Sequence, residues 1–116
     1  MIGADLTALR GVATFAVRDC NLALARLTDG HLRGLHLSGT DLGEADLWGA
    51  DLREAVFENC RLREVDLSNT RLEGADLRGA DLGAITAEMP RHLRGAVISS
   101  RQATEICAAL GVTVLD

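Results

Sequence analysis

Three histidines, three cysteines and seventeen carboxylates are the side chains of this chain with the acidity, nucleophilicity or ligand character that catalysis needs. Zinc and dithiol redox sites need paired cysteines at short spacing, and Cys20, Cys60 and Cys107 form no Cys-x-x-Cys pair. Reduced thiols filling the core are the expectation. His31, His36 and His92 have no cysteine or carboxylate forced beside them by spacing, so they read as solvated surface groups. No glycine-rich phosphate loop, Gly-x-Ser-x-Gly elbow or His-Glu-x-x-His helix occurs. The residues therefore lead to an expectation of no enzyme activity, no cofactor and no metal, which shifts attention to what the chain builds.

Its 116 residues are 47% hydrophobic, 25% charged and 3% aromatic, with a net charge of −5, the make-up of one small globular unit spanning 1–116. All twelve basic residues are arginines, but acids outnumber them, and no basic stripe suited to DNA or RNA is present. Direct nucleic-acid binding is not expected. The opening Met1-Ile2-Gly3-Ala4-Asp5 has no basic stretch leading into an apolar run, and nowhere do eighteen apolar residues follow one another. These features predict a cytoplasmic protein with no membrane contact.

Apolar residues recur with a period of five. From Val17 to Leu82, fourteen successive positions five apart carry Leu, Val or Phe. Two residues before each of these centres runs a second series, Phe15, Cys20, Ala25, Gly30, Leu35, Thr40 and onward to Ala80, mostly small and uncharged. Five residues advance neither a helix nor a strand by whole turns, so neither could hold these leucines on one face. The chain must bend every five residues. A solenoid of short extended sides satisfies this, with the centre and the residue two before it inward and the other three outward. Asp41, Asp46, Asp51, Asp66, Asp76 and Asp81 precede their centres, and Gly34, Gly39, Gly49, Gly74 and Gly79 occupy the second position after, where the bend is expected. Leu52→Asp should therefore unfold the domain, while Arg53→Asp on the outside should cost little.

Ala45-Asp46-Leu47-Trp48-Gly49, Ala50-Asp51-Leu52-Arg53-Glu54, Ala75-Asp76-Leu77-Arg78-Gly79 and Ala80-Asp81-Leu82-Gly83-Ala84 resemble the Ala-Asp-Leu-x-x consensus of the pentapeptide-repeat family, in register over residues 15–84. The resemblance implies an all-β solenoid in a bacterial protein: a right-handed quadrilateral β-helix of about four coils, four repeats to a coil. It also implies a short C-terminal capping helix and tail like those of some family members.

With four repeats per coil, residues twenty apart stack, and the charges can be sorted by side. Asp41, Arg61 and Asp81 fall in one column, which reads as a structural ladder of opposite charges. Another side sets Asp46 over Asp66 with Asp29 nearby and only Arg26 to offset them, and places Trp48 outward between Thr28 and Ser68. Stacked like charges destabilise modestly, and an outward tryptophan among unpaired carboxylates is a natural anchor for a contact. Asp29, Asp46, Trp48 and Asp66 are the candidate interaction surface.

The ends depart from the period. Ala4-Asp5-Leu6 is one residue out of phase with Val12 and Val17. After Leu82 a further slip of one makes Leu93 and Ile98 the last two centres, in an irregular coil over about 85–98 that includes a loop at Met89-Pro90. The segment 99–116 follows: Ser99 with Gln102 three residues on signals a capping box, apolar residues at helical spacing predict a helix from about Ser100 to Leu110, and Val112 to Leu115 alternate as a strand would. Ala103, Ile106, Leu110, Val112 and Val114 either plug the open end of the solenoid or join two copies there, giving a monomer or a C-terminal-end homodimer.

The expected function is a non-enzymatic protein-binding or scaffold module with a protein partner. The alternative comes from the resemblance alone: some pentapeptide-repeat proteins imitate duplex DNA and bind DNA gyrase or topoisomerase IV, protecting against quinolones or toxins. Against that pattern, this solenoid is short, carries eight arginines over residues 17–84 and has no long projecting loop.

Overall fold

The computed structural model describes residues 16–86 and 88–115; the out-of-phase Ala4-Asp5-Leu6, Val12, and Phe15 at the head of the inward series lie outside them. The described chain winds as a right-handed quadrilateral β-helix closed at its C-terminal end by a helix. Strands β1 (Ala16–Arg18), β2 (His36–Ser38), β3 (Val56–Arg61) and β4 (Asp76–Asp81) stack on one side as a parallel sheet in sequence order. The other sides are joined by single parallel bridges, such as Asn21↔Asp41↔Arg61, Arg26↔Asp46↔Asp66 and His31↔Asp51↔Arg71. Partners sit twenty residues apart, so one coil holds four pentapeptides.

The five-residue unit follows from where its backbone bonds go. The centre N–H donates to the next coil, as from Leu22 to the Asp41 carbonyl (2.7 Å) and from Leu42 to the Arg61 carbonyl (2.8 Å). Outside the sheet side, the centre carbonyl accepts from the N–H three residues on, as Leu22 does from Ala25 (2.9 Å), closing a tight turn at the corner. Such a turn requires positive φ at its third residue when it is of type II. Gly34, Gly49 and Gly74 satisfy that at φ +77°, +71° and +74°, but so do Leu24, Asp29, Glu44, Glu54, Glu64 and Asn69, and Asp19, Gly39 and Asn59 bend the sheet side at positive φ as well. Position, not residue type, dictates the left-handed bend. Gly79 is the exception to the sequence expectation: it is not left-handed, because β4 is bulged there against β3, pairing Gly79 with Glu58 before Ala80 returns to Cys60.

Both inward series meet in one core. The leucine centres from Leu22 to Leu82 and Phe57 are buried, as are Ala25, Ala45, Ala50, Ala55 and Ala75 from the second series. Where that series carries a donor it is satisfied: Cys20 Sγ, Thr40 Oγ1 and Cys60 Sγ each donate to the carbonyl two residues back, at 3.2, 3.1 and 3.3 Å, and Thr70 Oγ1 donates across the coils to the Leu47 carbonyl at 2.6 Å. All three cysteines are free, and burial pushes the Cys60 thiol up from its ordinary pKa.

The slip after Leu82 is one residue. Asp76 pairs with Val97, the Leu77 N–H donates to the Val97 carbonyl at 2.8 Å, Leu93 is buried and Ile98 packs against the core. Met89-Pro90 is not in an irregular loop but opens a single helical turn, α1 (Met89–His92). Helix α2 (Ser100–Ala109) is capped by Ser99, whose hydroxyl accepts from the Gln102 N–H while the Gln102 side chain accepts from the Ser99 N–H. Val112 to Leu115 form no strand. Gly111, at φ +80°, turns the chain after α2, and the carbonyls of Leu77 and Ala80 at the sheet edge are already taken by Gln102 Nε2, at 2.6 and 2.9 Å. Neither described helix is long and apolar enough to cross a membrane.

Candidate interaction surface

Every outward aspartate just before a centre does the same local work. Asp41, Asp46, Asp51, Asp66, Asp76 and Asp81 each turn one carboxylate oxygen back to accept the backbone N–H two residues on, at 2.8 to 3.2 Å, and Asn21 does so for Ala23. This is an Asx turn, open to Asp and Asn because their short side chains reach their own backbone. Asp46 and Asp66 are thus not wholly unpaired, as the charge pattern alone suggested. Seven-fold recurrence of Asp or Asn at one position was the signal for it.

What lies beyond the turn differs from side to side. On the side of Leu32, Leu52 and Leu72, Arg53 grips Asp51 with Nε on Oδ1 (2.9 Å) and Nη2 on Oδ2 (2.8 Å), and Arg33 meets Glu54 at 3.4 Å. On the sheet side, Arg78 grips Asp76 likewise at 3.0 and 2.8 Å, and His36 Nε2 lies 3.5 Å from Glu58, an acidic neighbour that spacing did not reveal. Hydrogen bonds from these arginines hold the Asp51 carboxyl below its usual range and bring that of Asp76 down to about 2. On the side of Leu22, Leu42 and Leu62, Asp81 pairs with Arg63 at 3.3 Å. The column of Asp41, Arg61 and Asp81 is present as a stack, but Arg61 makes no ion pair within 4 Å among the described residues. The expected ladder does not form: Asp81 turns to Arg63, and Asp41 keeps its turn bond alone.

The side of Leu27, Leu47 and Leu67 contains no side-chain ion pair among the described residues of its repeats. Asp46 and Asp66 are register partners, Asp29 is exposed at the corner, and Trp48 is 43% exposed. Arg26 pairs with Asp46 through the backbone, without a guanidinium within 4 Å of a carboxylate. Asp29, Asp46, Trp48 and Asp66 are therefore brought to one side.

The second candidate group divides. Gln102, which sequence reasoning placed only in the capping box, is buried and closes the end of the sheet, and Ile106 packs on the core beside half-buried Ala103. Leu110, Val112 and Val114 face solvent together with Leu115, which is 87% exposed. Exposed Leu24, at a left-handed corner, is a further apolar surface residue that the periodic pattern did not single out. No group of three His, Cys, Asp or Glu side chains suited to a metal converges among the described residues.

A family profile described as pentapeptide repeats matches in eight copies, over residues 20–59 and 49–83. No curated protein sequence matches. Among solved structures, the pentapeptide-repeat protein Rfr23 from the cyanobacterium Cyanothece 51142 is 24% identical with a TM-score of 0.55, over 84% of this chain and 55% of that one. HetL from Nostoc sp. strain PCC 7120, a pentapeptide-repeat protein involved in heterocyst differentiation regulation, is 31% identical with a TM-score of 0.53, over 67% of this chain and 36% of that one. QnrB1, a plasmid-mediated fluoroquinolone resistance protein, is 18% identical with a TM-score of 0.53, over 96% of this chain and 65% of that one. The chain thus spans between about a third and two thirds of the length of these proteins. Eight matched copies, a twenty-residue coil and leucine centres buried along its length make this chain a member of the pentapeptide-repeat family.

Proposed function

We propose that the chain is a non-enzymatic protein-binding or scaffold module, cytoplasmic, whose contact surface is the side carrying Trp48, Asp46, Asp66 and Asp29. The observation that carries this reading is the contrast between sides: the others close carboxylates with their own arginines or His36, whereas this one presents an exposed indole among carboxylates with no ion pair. Aromatic anchors ringed by polar groups are the usual energetic centres of protein interfaces. Three free thiols support a reducing compartment. The test is affinity capture from the source cell with wild type, Trp48→Ala and the neighbouring-side control Asp41→Asn. A partner lost with Trp48→Ala alone supports the reading, and identical partners on all three baits overturn it.

A second reading, a DNA mimic acting on DNA gyrase or topoisomerase IV, draws support from the coils themselves, which hold thirteen acidic residues against eight arginines over 17–84. The likeness to QnrB1 carries the fold alone. Light scattering with a gyrase supercoiling assay at low and moderate salt separates the two readings. A dimer that alters supercoiling in a salt-sensitive way favours mimicry, and an inert monomer favours the module.

A further inference from the structure

Resting on that reading of the Trp48 side, we propose that its partner is an extended basic segment presenting arginine, with a guanidinium seated on the Asp46 and Asp66 carboxylates against the Trp48 ring. The chain contains its own template for this contact. At Asp51 and Asp76 the carboxylate is fixed by its Asx turn, at 3.2 and 3.0 Å, and its outer edge takes a two-point guanidinium grip from the residue just after the leucine. Asp46 and Asp66 are held by the same turn bond, both at 3.0 Å, in repeats of the same backbone plan. The residues after their leucines are Trp48 and Ser68, so the carboxylate is posed for a guanidinium that its own repeat does not supply.

Three further features favour arginine. As register partners, Asp46 and Asp66 stack at the coil spacing of about 4.8 Å, and like charges at that distance repel until a cation lies between them. The exposed Trp48 indole offers a flat face on which a guanidinium stacks and an ammonium does so less well. The fork of five donors matches two adjacent carboxylates better than a point charge does. Elsewhere Asp81 has Arg63, and Asp41, whose column neighbour Arg61 pairs with it through the backbone only, has glycine after its leucine, so the neighbouring side lacks the aromatic face and stacks an arginine rather than a second carboxylate beside its aspartate.

Trp48 is the sole tryptophan and the chain has no tyrosine, so its emission reports on this surface alone. The experiment titrates the full chain with end-blocked hexa-arginine and hexa-lysine, in wild type, the double variant Asp46→Asn/Asp66→Asn and the control Asp41→Asn. Asparagine preserves the turn, as Asn21 shows by accepting from the Ala23 N–H at 3.0 Å. Expected are a saturable emission change with hexa-arginine, binding about tenfold weaker for hexa-lysine, a similar loss in the double variant, and affinity within about twofold of wild type for Asp41→Asn. Equal affinity for the two peptides, Asp41→Asn as damaging as the double variant, or no emission change with either peptide overturns the proposal. If any of these occurs while capture still depends on Trp48, the arginine seat alone fails; if capture does not depend on Trp48, the surface reading fails with it.

Discussion

Two consecutive repeats on neighbouring sides of one coil, Ala45-Asp46-Leu47-Trp48-Gly49 and Ala50-Asp51-Leu52-Arg53-Glu54, differ inside the protein almost not at all. Leu47 and Leu52 are each 1% exposed, both alanines are fully buried, and both aspartates accept the N–H two residues on. Outside they part company at the residue after the leucine. Arg53 folds back onto Asp51, and Trp48 leaves Asp46 with its turn bond alone. The interior and the turn set the fold, while one outward position decides whether a side is closed by its own chain or offered to another.

The largest effects test the first half of that statement. Leu47→Asp and Leu52→Asp each place a carboxylate among stacked leucines without a partner and should cost more than about 4 kcal/mol, enough to abolish cooperative urea unfolding. The milder pair Leu47→Ala and Leu52→Ala should each cost about 2–5 kcal/mol and agree within about 1 kcal/mol. A wider gap breaks the equivalence of the two interiors.

The corners should separate the sides by less. Gly49, at φ +71°, lies under the Asp29 carboxylate, which an added Cβ would strike, whereas a Cβ on Gly74, at φ +74°, would meet the flexible Glu54 side chain at 3.4 Å. Gly74→Ala should cost about 1–2 kcal/mol for the left-handed backbone, and Gly49→Ala more, since Asp29 must also move. Equal urea midpoints for the two variants would remove the role given to Asp29.

Acid titration reports the closed carboxylates. Asp76, held near pKa 2, and Asp51, also lowered, bind protons less readily folded than unfolded. Their stabilisation is present above the unfolded value of about 3.9 and is lost as pH falls from there toward about 2. Arg78→Ala, by releasing Asp76, should flatten the decline of thermal midpoint between about pH 4 and pH 2. A slope unchanged from wild type means that the grip on Asp76 contributes nothing to stability in solution. Arg53→Asp, cheap by sequence logic, should instead lower the urea midpoint measurably at neutral pH, since it replaces the Asp51 partner with a second carboxylate.

Much of this was readable in the residues because a period of five leaves so few ways to fold. Leucine centres, small companions and the slip that brings Leu93 and Ile98 into the last coil are hydrophobic-pattern facts, and burial follows pattern. The helix from Ser100 was equally legible from its capping box. The bulge at Gly79 was not, since it arises in the pairing of β3 with β4 rather than in either strand's sequence. Gln102 looked local, yet it reaches carbonyls 22 and 25 residues away, which only the closed solenoid brings beneath the helix. The alternating Val112 to Leu115 met no free sheet edge, so its pattern had nothing to pair with. At the candidate surface, residue columns placed Trp48, Asp46 and Asp66 together, but the turn bonds that orient the carboxylates belong to the backbone and were invisible in a count of charges.

The smallest change in stability should come from converting one side into the other. Trp48→Arg recreates Asp-Leu-Arg at the Asp46 repeat, so the new guanidinium should close on Asp46 as Arg53 closes on Asp51. An exposed ion pair is worth little, and a gain of at most about 0.5 kcal/mol in urea unfolding is expected. Its effect on recognition should be far larger: with Asp46 occupied from within and the indole gone, binding of hexa-arginine followed by calorimetry should be lost. Trp48→Ala, equally close to wild type in stability, should retain part of that binding, because Asp46 stays open. If Trp48→Arg binds the peptide as well as Trp48→Ala does, the carboxylate is not the seat, and the difference between the two sides reduces to the tryptophan alone.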